Sequence, residues 1–293
     1  MNLINNIKYK LYSKFSFKKD NIKYYYKKFD STNRPLDYLL NELVAYKMAT
    51  KVGIKCVEPI VINKSNQFGM ITKSFERKDY KTISGNEIIK NYYRYLDMHN
   101  MIDELDDDEE LAINKLNNLE DIWDALILHF KDYKKRNDIV SKIMLDLTKI
   151  FSFEILMMQI DRHGGNWQVL ESVNNEDAYL APIYDNELCF SDLSFNNSIH
   201  TNYEVFKYTE LSKNLKSYLM TSSIEFQNQF VEYFNILTPE LLSCVIEEVN
   251  NENGNIFKYH YMQKVLDTYT NNYNKISEIL ISLNLIEDSN KRI

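Results

Sequence analysis

The spacing of apolar positions changes period twice in the first 75 residues. From Ile22 to Phe29 the chain reads IKYYYKKF, with aromatic residues on both faces and Lys mixed among them, the pattern of a short strand. STNRP then breaks the run, and Pro35 suits the first turn of a helix. Leu36, Leu39, Leu40, Leu43, Val44 and Met48 follow at three- and four-residue steps, predicting one broad helical face with Gly53 as its stop. VEPIVI and FGMITKSF predict two more strands at about 57–62 and 68–75. Strands, one helix and strands again make a small α+β lobe over residues 1–75.

Beyond residue 76 the strand signal mostly fades, and residues 76–293 form the second predicted unit. A helix is expected near 86–97, then an acidic run, DELDDDEE, at 103–110. That run lacks the glycine and ligand spacing of a calcium loop and reads as solvated. A longer helix is expected near 138–160, carrying Ile139, Val140, Ile143, Met144, Leu147, Ile150 and Phe151, with Met157 and Met158 as packing residues. It runs into DRHGGNW, after which WQVLESV and DAYLAPIYD predict a hairpin. The rest is helical, with hydroxyl caps before IEFQNQFVEYF, a Thr238-Pro239-Glu240 helix start, and a turn at Asn253-Gly254.

Composition narrows the class. The 293 residues hold only six Gly and four Pro, with 44% apolar and 26% charged positions, so whole-chain disorder and many-turned β-sandwiches are excluded. Net charge is −7, and the three cysteines show no metal-ligand spacing. A broad nucleic-acid face, a disulfide framework and a zinc site are therefore not expected. Residues 1–30 are the exception to the acidic balance, with eight Lys against Asp20 and Asp30; a basic edge of this kind suits an anionic ligand or a solvated sheet. No apolar run reaches membrane-span length and no secretory signal is present at the start, so the expectation is a soluble, cytoplasmic protein without membrane association, export as an effector remaining open.

The chemistry concentrates in Asp161-Arg162-His163-Gly164-Gly165-Asn166. A carboxylate and a carboxamide five residues apart, on a loop braced by a long helix, suit phosphoryl transfer. Asp161 accepts the proton of an attacking hydroxyl, and the Asn166 carbonyl oxygen holds magnesium. His163 reads as a residue that shapes the loop. Asp185, twenty-four positions after Asp161 and just beyond an apolar strand, is placed as the main metal ligand. Lys28, late in the first clear strand, is assigned to the α- and β-phosphates with Glu42 on the next helix as its partner. Lys27 competes for that role, because alternation puts the two on opposite faces and both faces carry Tyr.

These segments, IKYYYKKF, LLNELVAYKMATKVGI, DRHGGNW and LAPIYDNELCF, resemble the HipA-like family of bacterial serine/threonine kinases, including its short, CtkA-type members. The resemblance covers roughly residues 20–75 and 150–190. It implies a two-lobed, protein-kinase-like fold with a small mixed N-lobe and a mainly helical C-lobe. It also implies ATP and Mg²⁺ as cofactors, a protein acceptor with a Ser or Thr hydroxyl, and an antitoxin or regulatory partner. Asp161, Asn166 and Asp185 would be catalytic, Asn166 and Asp185 would bind metal, and Lys28 and Glu42 would serve the nucleotide. Residues 71–75, with Thr72, Lys73, Ser74 and Phe75, would face the adenine.

The sequence departs from that pattern in two places. No glycine precedes Gly53, so the segment Tyr12 to Asn21 stands where a glycine-rich loop would cover the phosphates, with Ser13 and Ser16 as candidate self-phosphorylation sites. Only about twenty residues precede the matched strand, whereas full-length HipA-type toxins carry an additional N-terminal subdomain. Three other readings stay open at this level: a phosphoinositide or small-molecule kinase using the same loop, a nucleotide-binding scaffold without turnover, and a helical interaction protein.

Overall fold

The computed structural model describes residues 14–29, 35–64, 67–101, 119–159, 161–162, 164–190 and 211–287. The acidic run at 103–110, His163 and Ser13 lie outside these residues. The first sheet contains β1 (Lys14–Lys19), β2 (Ile22–Phe29), β3 (Pro59–Lys64) and β4 (Gln67–Lys73) in the order β1-β2-β4-β3, with every neighbouring pair antiparallel. Helix α1 (Leu36–Lys51) lies against one face and buries Leu39, Leu40, Leu43, Val44, Ala45 and Met48. It ends where Gly53 takes a positive φ of 72°, a conformation glycine adopts without a Cβ penalty.

The two faces of this sheet are unequal. Phe29 and Met70 join the main core beneath α1, whereas Tyr26, Ile62 and Ile71 make a small separate cluster on the other side. Period-two alternation therefore sends Lys27 toward the α1 side and Lys28 toward the Tyr26 side.

A second sheet, β5-β6-β7, pairs Tyr80–Ser84 with Gln168–Ser172 and the latter with Ala178–Leu180, all antiparallel. β5 corrects the expectation that strand structure fades after residue 76. Its partner lies nearly ninety residues away, and Ile83 is its one buried residue, so local periodicity carried almost no signal. The hairpin strand expected to reach Tyr184 stops at Leu180. Ile183 instead makes an isolated parallel bridge to Cys56, its N–H donating to the Lys55 carbonyl at 2.9 Å and its carbonyl accepting from Val57 at 2.9 Å. Those two bonds stitch the small lobe to the segment that carries Asp185.

Helices fill the remainder: α2 (Gly85–Met98), α3 (Leu119–His129), α4 (Arg136–Met157), α5 (Leu211–Thr221), α6 (Ile224–Ile236), α7 (Pro239–Glu252) and α8 (Tyr259–Ser282). The Ser223 and Thr238 side chains cap α6 and α7 by accepting from Phe226 and Leu241 N–H, as their hydroxyl positions predicted. α4 is the central strut. Its last six residues are all buried, and it closes on Met158 in the left-handed region with φ 52°, which aims the chain into the DRHGGNW loop. No helix among the described residues is long and apolar enough to cross a membrane.

Gly85 begins α2 against Trp167, where a Cβ would fall 2.1 Å from the indole ring. Gly85→Ala should therefore cost about 1–3 kcal/mol through overpacking, read as a lowered midpoint in urea unfolding.

Candidate active site

The end of β2, the second turn of α1 and the turn after β7 converge on the Lys27 ammonium. Lys27 Nζ lies 2.8 Å from Glu42 Oε1 and 3.4 Å from Glu187 Oε2, and it donates to Asp185 Oδ1. The four side chains are between 5% and 16% exposed, so screening by water is weak. Burial by itself would push the Lys27 pKa down; the carboxylates of Glu42, Asp185 and Glu187 outweigh it and hold the ammonium above its ordinary value.

Glu42 acts on two partners at once. Its Oε2 accepts from the Asn186 N–H at 3.0 Å while Oε1 faces Lys27. The neighbouring Asn41 amide donates to the Glu187 and Cys189 carbonyls, both at 2.9 Å. The Asn41-Glu42 pair thus ties α1 to the turn that carries Asp185. Asp185 itself has φ 60°, a strained region that Asp tolerates better than most residues. Its carbonyl is held by Gln159 Nε2 at 3.1 Å.

Gln159 also reaches the other loop, its Oε1 accepting from the Asp161 N–H at 3.2 Å. Asn166 Nδ2 donates to the Asp161 carbonyl at 2.6 Å and to Asp161 Oδ2 at 3.2 Å. The amide nitrogen orients the Asp161 carboxylate, and the amide oxygen is the side suited to a cation. Beneath both loops the Arg162 guanidinium is almost fully buried. It donates to Glu154 Oε1 at 2.5 Å, to the Asn166 and Tyr184 carbonyls at 2.7 and 2.6 Å, and to Asn186 Oδ1 at 2.7 Å. Tyr184, its hydroxyl pushed up to about 12 chiefly by burial, stays protonated and donates to the Gly165 carbonyl at 2.9 Å. The Cys56 thiol, likewise raised to about 12 by burial and then by Glu42, is no nucleophile at neutral pH.

A cleft of about 630 Å³ opens over this cluster, within the range of small-molecule sites. Lys27, Glu42 and Asp185 stand at one end, and Thr72, Lys73, Ser74 and Phe75 line it along the outgoing end of β4. Ser16 of β1 is exposed and also borders the cleft. Oxygen atoms of Glu42, Asp185 and Glu187 lie within 4.8 Å of one another. Together they form a hard, all-oxygen donor set, which fits Mg²⁺.

The sequence assignment of Lys28 as the partner of Glu42 is corrected. Lys28 lies on the sheet face shared with Tyr26, opposite Gly69, and does not line the cleft; Lys27 holds the position. Asp161 and Asn166 are brought together, and Asp185 joins them through Gln159 and Arg162. Sequence reasoning missed Glu187, Gln159, Arg162 and Glu154. Glu154 carried a usable signal, since it is a lone carboxylate in the apolar run FSFEILMM and so demands a buried cationic partner.

With this geometry in place, comparison with known proteins is informative. The family model described as HipA-like C-terminal domain matches residues 8–238. The serine/threonine-protein kinase CtkA of Helicobacter pylori is 25% identical over 163 residues, which cover 54% of this chain and 43% of the relative; the match spans less than half of that protein. The crystal structure of the Helicobacter pylori proinflammatory kinase CtkA superposes with a TM-score of 0.62 at 18% identity, covering 93% of this chain and 94% of that one. HipA of the Shewanella oneidensis MR-1 toxin–antitoxin system, in complex with HipB and operator DNA, gives a TM-score of 0.56 at 10% identity over 90% and 61% of the two chains. The small-lobe sheet and helical large lobe described above are the fold of these kinases.

Arg162→Met would leave the Glu154 carboxylate buried without its partner. Breaking such a pair costs about 3–5 kcal/mol, which chemical denaturation should register, with loss of protein in the soluble fraction as the extreme result.

Proposed function

The chain belongs to the HipA-like C-terminal domain family, and on that premise we propose that it transfers the γ-phosphoryl group of ATP to a serine or threonine hydroxyl of a protein acceptor. The observation that carries this reading is the pairing of Lys27 with Glu42 and Asp185 in a nucleotide-sized cleft, with Gln159 tying Asp185 to the loop on which Asn166 orients the Asp161 carboxylate.

In this reading the adenine lies along Thr72, Lys73, Ser74 and Phe75, and Lys27 donates to the α- and β-phosphates while Glu42 keeps its ammonium in place. Asp185 and the Asn166 amide oxygen would hold Mg²⁺. That ion supplies neutralisation of charge on the phosphate oxygens. Asp161 accepts the proton of the acceptor hydroxyl as its oxygen bonds to the γ-phosphorus, and the bond from that phosphorus to the bridging oxygen breaks to release ADP. Positioning carries most of the acceleration, because the reacting groups are fixed on loops that share one buried guanidinium. A regulatory protein partner, as HipB is found with HipA in the Shewanella complex, and a cytoplasmic location belong to the same proposal.

The test is the mass of a basic protein acceptor, and of the enzyme, after incubation with Mg-ATP, with phosphoinositide vesicles as a parallel acceptor. The protein acceptor should gain phosphate and the lipid should not. Asp161→Asn should lower the rate by about 10²–10⁴, and Asp185→Ala should abolish transfer; undiminished transfer by the latter refutes the mechanism. Between the two lysines, Lys27→Met should remove activity and Lys28→Met should retain it.

A further inference from the structure

The large lobe carries a second concave surface whose lining shares no residue with the cleft. Between α2 and α3 lies a groove of about 290 Å³, walled by Ile88, Tyr92, Tyr95 and Met98 on one helix and by Ala125 and Leu128 on the other. Met98 is 73% exposed, and an open apolar hollow of this kind is a contact site. The turn from α3 to α4 adds charge. Residues 131–136 read KDYKKR, four cations against one Asp in a chain of net charge −7. Lys131, Lys134, Lys135 and Arg136 line a hollow of about 380 Å³, with Asp138 as the carboxylate on its wall. Lys131, Lys134 and Lys135 are exposed and hold no carboxylate among the described residues. Lys131 lines both hollows.

One buried carboxylate fixes the walls of both. Glu171, its side chain 1% exposed, bonds to His129, which lines the groove, and accepts at 3.0 Å from Tyr133, which lines the basic hollow. The two hollows are thereby held in register, which lowers the ordering cost of binding. We infer that this surface docks an acidic protein segment with an apolar anchor: an aromatic or branched aliphatic side chain enters the groove, and carboxylates beside it meet the lysines. Charge complementarity selects that occupant. A short run of carboxylates matches four cations clustered on one turn, whereas nucleic acid needs a basic track that this acidic chain does not offer. A bilayer surface presents no side chain for the groove to hold. The first turn of α2 borders the cleft through Glu87, so the docked segment lies one helix away from it. Docking here is independent of the chemistry in the cleft.

The test is fluorescence anisotropy of a labelled peptide, one Trp followed by six Glu, titrated with the full chain at low salt. Wild type should bind it roughly tenfold more tightly than Lys134→Glu with Lys135→Glu, and more tightly than a peptide with Gly in place of Trp. Met98→Asp should lose that preference for Trp. Lys264→Glu with Lys275→Glu, the same charge change on α8, should stay at the wild-type value. Lys134→Gln with Lys135→Gln repeats the measurement should the charge reversal disturb folding. Failure of wild type to bind the peptide overturns the docking surface, and so does equal binding by the Lys134 and Lys135 variants. Tighter binding of anionic phospholipid vesicles or single-stranded DNA through the same lysines overturns the choice of a protein segment.

Discussion

Everything in the cleft depends on one buried guanidinium. Arg162 follows Asp161 in the chain, and its side chain turns inward, where Glu154 near the end of α4 neutralises it. From there it holds the carbonyls of Asn166 and Tyr184 and the side chain of Asn186. The loop with Asp161 and Asn166 and the turn with Asp185 flank the β6–β7 hairpin and share no strand ladder at these positions. Arg162 sets their separation with a planar group whose donors point in fixed directions. A buried ion pair of this kind adds little net stability; its use is in fixing one geometry.

A second constraint couples the lobes. The Asn41-Glu42 pair of α1 bonds to residues 186, 187 and 189, and Cys56 and Val57 meet Ile183. Lys47 reaches Glu248 and Glu252 on α7, though those exposed contacts contribute little. The helix that positions Lys27 is therefore fastened to the large lobe by backbone-directed hydrogen bonds as well as by its apolar face. In the cleft three carboxylates, Glu42, Asp185 and Glu187, face the one ammonium of Lys27.

Much of this was legible in the sequence because it is local. The period of Leu36 to Met48 gave α1, IKYYYKKF gave β2, and the Thr238-Pro239 start gave α7. DRHGGNW and APIYD, in that order, marked the residues that the fold brings together. β5 was not legible, since a strand with one buried residue takes its identity from a distant partner. Arg162 was visible only as part of a motif; that it would be buried against Glu154 required the packing of α4 beneath the loop.

The choice between Lys27 and Lys28 divides the two sources of information most sharply. The sequence by itself set the strand, turn and helix through short-range periodicity, and the kinase pattern then called for a lysine late in β2 with a glutamate on the following helix as its partner. It also determined that adjacent residues would point to opposite faces. It could not say which face, since Tyr24, Tyr25 and Tyr26 made both look half-buried. Only the tertiary structure decided that: α1 packs on the side of Phe29 and Met70, and period-two alternation then carries Lys27, two residues before Phe29, into the cleft.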